Sequence, residues 1–316
     1  MINQNNLKKL ASDFLDSKKN NDKSYRANFV YSKHNDILKT IFNSSDDKLF
    51  EKLILANKQE LQQFISKYKD YLRKNNFEFK SIKELVKENS SNPIFQVLLA
   101  LHNAYENFSK DWNNKIVDVI ETRTCLYCNR EYIINYTDKT KTKTTAELDH
   151  FYPRSLYPFL SITFLNLIPS CKTCNSKLKG DKDTFKEEIL YPYEENLNDN
   201  MKFKLDIEDV DFLNNKTKFK LDLKTNNINA NNSKELFKLH ELYQEHKDIV
   251  LELIQKAQIY NDSYIDDLLK NYEGSIFKNR EDLLRLITCG YVNDEDLNKR
   301  PLSKLIKDIA EELELL

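Results

Sequence analysis

Residues 125–132 read CLYCNREY, residues 147–155 read ELDHFYPRS, and residues 166–180 read NLIPSCKTCNSKLKG. Four of the five cysteines lie here as two CxxC pairs, Cys125/Cys128 and Cys171/Cys174. Each pair can turn both sulfurs toward one ion, and two such knuckles build a tetrahedral four-cysteine site for a structural Zn²⁺. The interval 129–170 is longer than a simple zinc ribbon has, which is expected when a functional element is looped out between the knuckles. Two unrelated pairs of buried thiols are the plain alternative, but paired CxxC motifs are a specific signal. Neither pair follows a strand in a βαβ context, so a redox role is disfavoured. Cys289 stands apart and is expected to be a small core residue. Between the knuckles, residues 144–148 can form a strand that ends at Asp149-His150. Neighbours on a strand point to opposite faces, so one site can use both only where the chain turns, and Pro153 marks such a turn.

Outward from this centre the chain reads as helix. Of 316 residues only three are Gly and six Pro, too few to punctuate a sheet-rich fold. Three scattered glycines also exclude a glycine-rich phosphate loop, so any ATP dependence has to come from another chain. Charged residues make 31% and hydrophobic residues 40% of the chain, with a net charge of −1. That balance does not advertise nucleic-acid binding, so a nucleic-acid substrate requires locally concentrated basic residues. Arg154, Lys172, Lys177, Lys179 and Lys182 are the candidates. A charge run is usually a solvated face, but beside a phosphate-binding site it supplies local positive potential. No apolar stretch approaches the roughly 20 residues of a membrane span. The polar N-terminus and the cysteine usage predict a cytoplasmic protein.

Helices are expected over 4–18, over 45–68, after a capping box at Ser81 and Glu84, and from Pro93 through Phe108 with continuation over 111–122. Their aliphatic and aromatic stripes read as core. The pattern then changes period. Residues 202–208 (KFKLDIE) and 218–224 (KFKLDLK) alternate apolar and charged side chains and predict two antiparallel amphipathic strands. An Asn-rich linker over 226–232 and helices from Ser233 to the C-terminus follow, with Ser303 as the expected cap of the last.

The ordered set Asp149-His150, Asn166-Leu167 and Cys171–Asn175 resembles an HNH endonuclease of the ββα-metal finger superfamily. The likeness covers about 55 residues, and its specificity lies in the combination. It implies that His150 is the general base that deprotonates the attacking water. It implies that Asp149 and Asn175 hold a catalytic Mg²⁺ or other divalent cation, and that Asn166 supports His150 and its loop. The motifs ELDHFYPRS, YPFLS, NLIPSC and CNS, followed by LYPY and KRPLSKL, are also similar to the HNH subunit of the two-gene Septu anti-phage systems, which accompanies some retrons. This likeness covers roughly residues 120–316. It implies an ABC/SMC-type ATPase partner and degradation of nucleic acid, DNA favoured, during infection. The chain departs from the plain family in a Thr/Lys-rich insertion over 137–145 and in an aromatic loop with Phe151, Tyr152, Tyr157 and Phe159.

The expected fold is therefore mainly α, with a small zinc-stapled ββα-metal core and a two-stranded β ribbon. The expected division is an N-terminal helical region over 1–120, a zinc-bound nuclease core over 121–190, and the ribbon with a C-terminal helical region over 191–316. The competing functional reading is a zinc-bound scaffold or nucleic-acid-binding subunit without catalysis. The same cysteines serve both readings. Asp149, His150 and Asn175 separate them, because a scaffold has no reason to group them.

Overall fold

A computed structural model describes residues 4–17 and 34–316. Lys18, the last residue of the first expected helix, lies outside the described residues. The N-terminal part is helical: α1 (Gln4–Ser17), α2 (Asn35–Phe42), α3 (Leu49–Leu55), α4 (Lys58–Lys74), α5 (Ile82–Glu88) and the long α6 (Pro93–Ile120). The single helix expected over 45–68 is two. Ala56 is extended, and Asn57 opens α4 with a reciprocal capping box to Glu60. The box at Ser81 and Glu84 forms as expected, and Pro93 occupies the first turn of α6. Its missing N–H costs nothing there.

Three separate two-stranded antiparallel sheets follow among the described residues. β1 (Asn135–Asp138) and β2 (Lys141–Thr144) make the Thr/Lys-rich insertion a hairpin. β3 (Glu147–His150) pairs with β4 (Leu167–Ser170), opposing Asp149 to Ile168 and His150 to Leu167. A π-helix over Thr173–Lys179 comes next, closed by an N–H···O bond from Gly180 back five residues to Asn175. Gly180 leaves it at φ +52°, a conformation that glycine adopts without strain. β5 (Met201–Ile207) and β6 (Phe219–Thr225) form the expected ribbon in register. Phe203, Phe219, Leu221 and Leu223 are buried, whereas Ile207 at the far end is exposed.

The C-terminal helices are α7 (Ile228–Leu236), α8 (Leu239–Gln244), α9 (Lys247–Ile259), α10 (Asp262–Tyr272), α11 (Arg280–Thr288) and α12 (Ser303–Glu312). The Asn-rich stretch is thus largely helix rather than linker. Asn227 caps α7 by accepting the Ala230 N–H, and Ser233 sits within it, accepting the Leu190 N–H. Ser303 does not cap α12. Asn129, beside the first knuckle, does so from a distance, accepting the Lys304 N–H at 3.2 Å on its side chain and the Leu302 N–H at 2.7 Å on its carbonyl. Cys289 is exposed at a left-handed helix end, not in the core.

One hydrophobic core runs from Leu7 and Phe14 of α1 through α6, the β3–β4 loop and the ribbon to Ile309 of α12. A smaller one gathers Ile265, Leu283, Leu284 and Ile287 against Ala310 and Leu315. Burying these faces is what fixes the helices around the central stretch. The architecture is mainly α with small β ribbons, as the composition predicts. Among the described residues no helix is long and apolar enough to cross a membrane.

Candidate functional site

The two CxxC pairs come together. The sulfurs of Cys125, Cys128, Cys171 and Cys174 are buried and lie within 4.8 Å of one another, with Cys128 and Cys171 4.0 Å apart. Backbone N–H groups of Arg130 and Cys174 point at Cys128 and Cys171 sulfurs, both at 3.4 Å. A soft four-thiolate set with sulfurs this close fits a tetrahedral metal ion such as zinc. Such an ion would tie the first knuckle to the start of the π-helix.

β3 places Glu147 and Asp149 on one face and sends His150 the other way. Asp149 is 2% exposed. One of its oxygens accepts from the Lys179 ammonium at 2.9 Å and the other from the Tyr127 hydroxyl at 2.5 Å. Lys179 also donates to the His150 carbonyl at 2.8 Å. Burial and the neighbouring carboxylate push the Tyr127 hydroxyl well above the usual range, which keeps it a donor. Its ring stacks on Phe237, with centroids 4.4 Å apart.

His150 is 9% exposed. Its Nε2 lies 2.8 Å from the Ser161 carbonyl, and its ring meets Tyr105 of α6 edge-on at 4.5 Å. A carbonyl can only accept, so Nε2 carries the proton and Nδ1 keeps a lone pair. Burial lowers its pKa from 6.5 to about 3, helped by the positive charges of Arg154 and Lys179 and opposed by the Ser161 bond. Arg154 lies over the Tyr105 ring at 5.0 Å and donates to the His102 carbonyl at 3.1 Å.

Asn166 is fully buried and holds the aromatic loop. Its side chain accepts the Tyr152 N–H at 2.8 Å and donates to the Tyr152 and Leu160 carbonyls. The LYPY tyrosines clamp the same region, Tyr191 donating to the Leu165 carbonyl and Tyr193 to that of Leu167. Asn175 donates its amide to Glu147 at 2.9 Å, where the Ser176 hydroxyl also binds. Asp149 has each oxygen hydrogen-bonded, and Asn175 has its amide nitrogen on Glu147, so a divalent cation shared by the two would meet Lys179 on Asp149.

Of the basic residues, Lys172, Lys177 and Lys182 are exposed and Arg154 is half-buried, whereas Lys179 is inside and adds no outward potential. Sequence reasoning missed Lys179 and Tyr127 as partners of Asp149, and Tyr105 and Ser161 as partners of His150. Tyr127 was the most accessible of these, because a residue between two ligand cysteines must lie at the centre. No family model and no solved structure matches the chain. Septu protein PtuB of Bacillus thuringiensis is 36% identical over 78 residues, which is 25% of this chain and 27% of that protein. Protein ea31 of Escherichia phage lambda is 39% identical over 51 residues, 16% of this chain and 17% of that protein. The matches thus span about a quarter and a sixth of these relatives, and what they establish is a segment related to a Septu protein.

Proposed function

We propose that the chain is an HNH-type endonuclease that hydrolyses phosphodiester bonds of nucleic acid, DNA in the first instance. The observation that carries this reading is the hydrogen bond from His150 Nε2 to the Ser161 carbonyl. It leaves Nδ1 as a neutral lone pair, which is what a general base needs to take a proton from water. The aromatic loop held by Asn166, and the Tyr105 ring, keep the imidazole in that orientation. A base with a pKa near 3 is weak at neutral pH. The charge of an incoming phosphodiester beside it raises that value, so the base strengthens when substrate is present. Arg154, half-buried beside Tyr105, is placed to meet such a phosphate. The cysteine centre, loaded with zinc, is structural and takes no part in the chemistry.

In this reading the chain is the nuclease subunit of an anti-phage complex. The segment shared with a Septu protein supports the setting. In this reading the partner is an ATP-hydrolysing subunit of the ABC/SMC type, and any ATP dependence comes from it, since this chain has no phosphate loop of its own. The near-complete burial of His150 supports a partner that opens the site. The regions 1–120 and 191–316 then frame the core at 121–190 and carry the partner contacts.

The test is co-expression with the product of the neighbouring gene, followed by incubation of the purified complex with supercoiled plasmid and with single-stranded RNA. Nicking of the plasmid, dependent on nucleotide state, is expected. A chain that binds nucleic acid without cutting it, alone or in the complex, would establish the scaffold reading instead.

A further inference from the structure

We propose that Lys179 is the resident cation of Asp149, and that its ammonium and a divalent metal ion exclude each other there. The inference rests on the nuclease reading only for the importance of Asp149; the binding claim stands on geometry. A carboxylate oxygen of Asp149 and the main-chain carbonyl of His150 converge on Lys179 Nζ at 2.9 and 2.8 Å. Two oxygens converging in this way are the kind of donor set a hard divalent ion takes. Here a lysine fills it. The side chains of Lys179 and Asp149 are 0% and 3% exposed. An ion entering beside Asp149 would face the ammonium at close range and leave it buried without a counter-charge, which is strongly unfavourable.

The arrangement is built, not incidental. Tyr127, which holds the second Asp149 oxygen, lies between Cys125 and Cys128. Lys179 ends the π-helix that begins beside Cys174, and the wider turn of that helix carries it to the strand. Both partners of Asp149 are thus anchored to the cysteine centre, one on each knuckle. Asp149 is then a positioning residue. Through Lys179 it fixes the main chain at His150 and so the direction of the imidazole.

The test uses Mn²⁺ as the probe and electron paramagnetic resonance of free Mn²⁺ as the readout, on full-length, zinc-loaded protein. Wild type and Asp149→Asn are expected to bind Mn²⁺ alike. Lys179→Met removes the ammonium and keeps the unbranched apolar stem. It is expected to bind Mn²⁺ about 10- to 100-fold more tightly, the range over which neighbours of an ion site tune affinity. The double variant Asp149→Asn/Lys179→Met should lose that gain. A purely structural lysine would give no gain. Mn²⁺ binding by wild type that Asp149→Asn abolishes would overturn the proposal, as would a folded Lys179→Met with no new site. Should Lys179→Met fail to fold, the wild-type comparison with Asp149→Asn still decides. Cleavage by His150→Ala is read separately. Its loss, together with Asp149-dependent Mn²⁺ binding in wild type, would sink this inference and leave the nuclease reading standing.

Discussion

Among the described residues two lysine–aspartate pairs are buried, and they are made in different ways. Lys304 and Asp308 lie one turn apart in α12, with Nζ 2.6 Å from the carboxylate and side chains 4% and 1% exposed. Asp308 also accepts the Phe203 N–H, so the pair staples the helix to β5. Burial raises the Asp308 pKa and lowers that of Lys304, both toward the neutral forms. Lys179 and Asp149 are equally buried but 30 residues apart. A helix assembles the first pair by its own geometry. The second exists only while β3, the first knuckle and the π-helix are held together. The first pair therefore reports on a helix, and the second on the cysteine centre.

The largest expected effect separates them through the metal. Purified protein should carry about one zinc per chain. Cys171→Ser should lose it and, in hydrogen exchange, lose protection at 147–150 and 173–180 while 307–312, beyond the turn that Asn129 caps, stays protected. Uniform retention of protection without zinc would show that the centre does not hold the site pair. Next come the carboxylates themselves. Asp149→Ala and Asp308→Ala each strand a buried ammonium, and each should cost about 3–5 kcal/mol in urea unfolding. A change within about 0.5 kcal/mol, the usual range for a surface substitution, would mean that the pair opens to water in solution. Tyr127→Phe removes a single hydrogen bond to a buried charge and should cost about 1.5–3 kcal/mol. An equal loss in Asp149→Ala/Tyr127→Phe and Asp149→Ala alone would confirm that the hydroxyl acts through Asp149.

The last effect vanishes at neutral pH and grows only in acid. His150 is neutral in the folded chain, with its pKa lowered by burial from 6.5 to about 3. The unfolded chain takes up the proton first as pH falls, so folding stability is flat above about 6.5 and is lost progressively down to about 3. His150→Gln should flatten that part of the curve relative to wild type. Parallel curves across the window would show that the imidazole is solvated in the native state.

Much of the fold was legible because it follows from local pattern. The stripe on α6, the capping box at Ser81 and Glu84 and the period-two strands of the β5–β6 ribbon each identify their own element. The break at Ala56 was also written locally, in Asn57 and Glu60, but the apolar stripe continuing across it hid the signal. The α12 cap and the site wiring were not legible, because they depend on contacts across the chain. Asn129 reaches Lys304, Tyr127 reaches Asp149, and Lys179 looks like one more surface lysine in a basic run. Only the π-helix register turns it inward. The cysteines could be read because metal ligation imposes spacing on sequence, whereas a buried ion pair imposes none.

The most direct measurement is single-turnover cleavage of a DNA duplex by wild type and His150→Ala in the assembled complex, at matched zinc content. The account predicts that the variant still binds the duplex and cuts it ~10²-fold more slowly or worse, the usual scale for a lost general base. Cleavage at the wild-type rate by His150→Ala would contradict it.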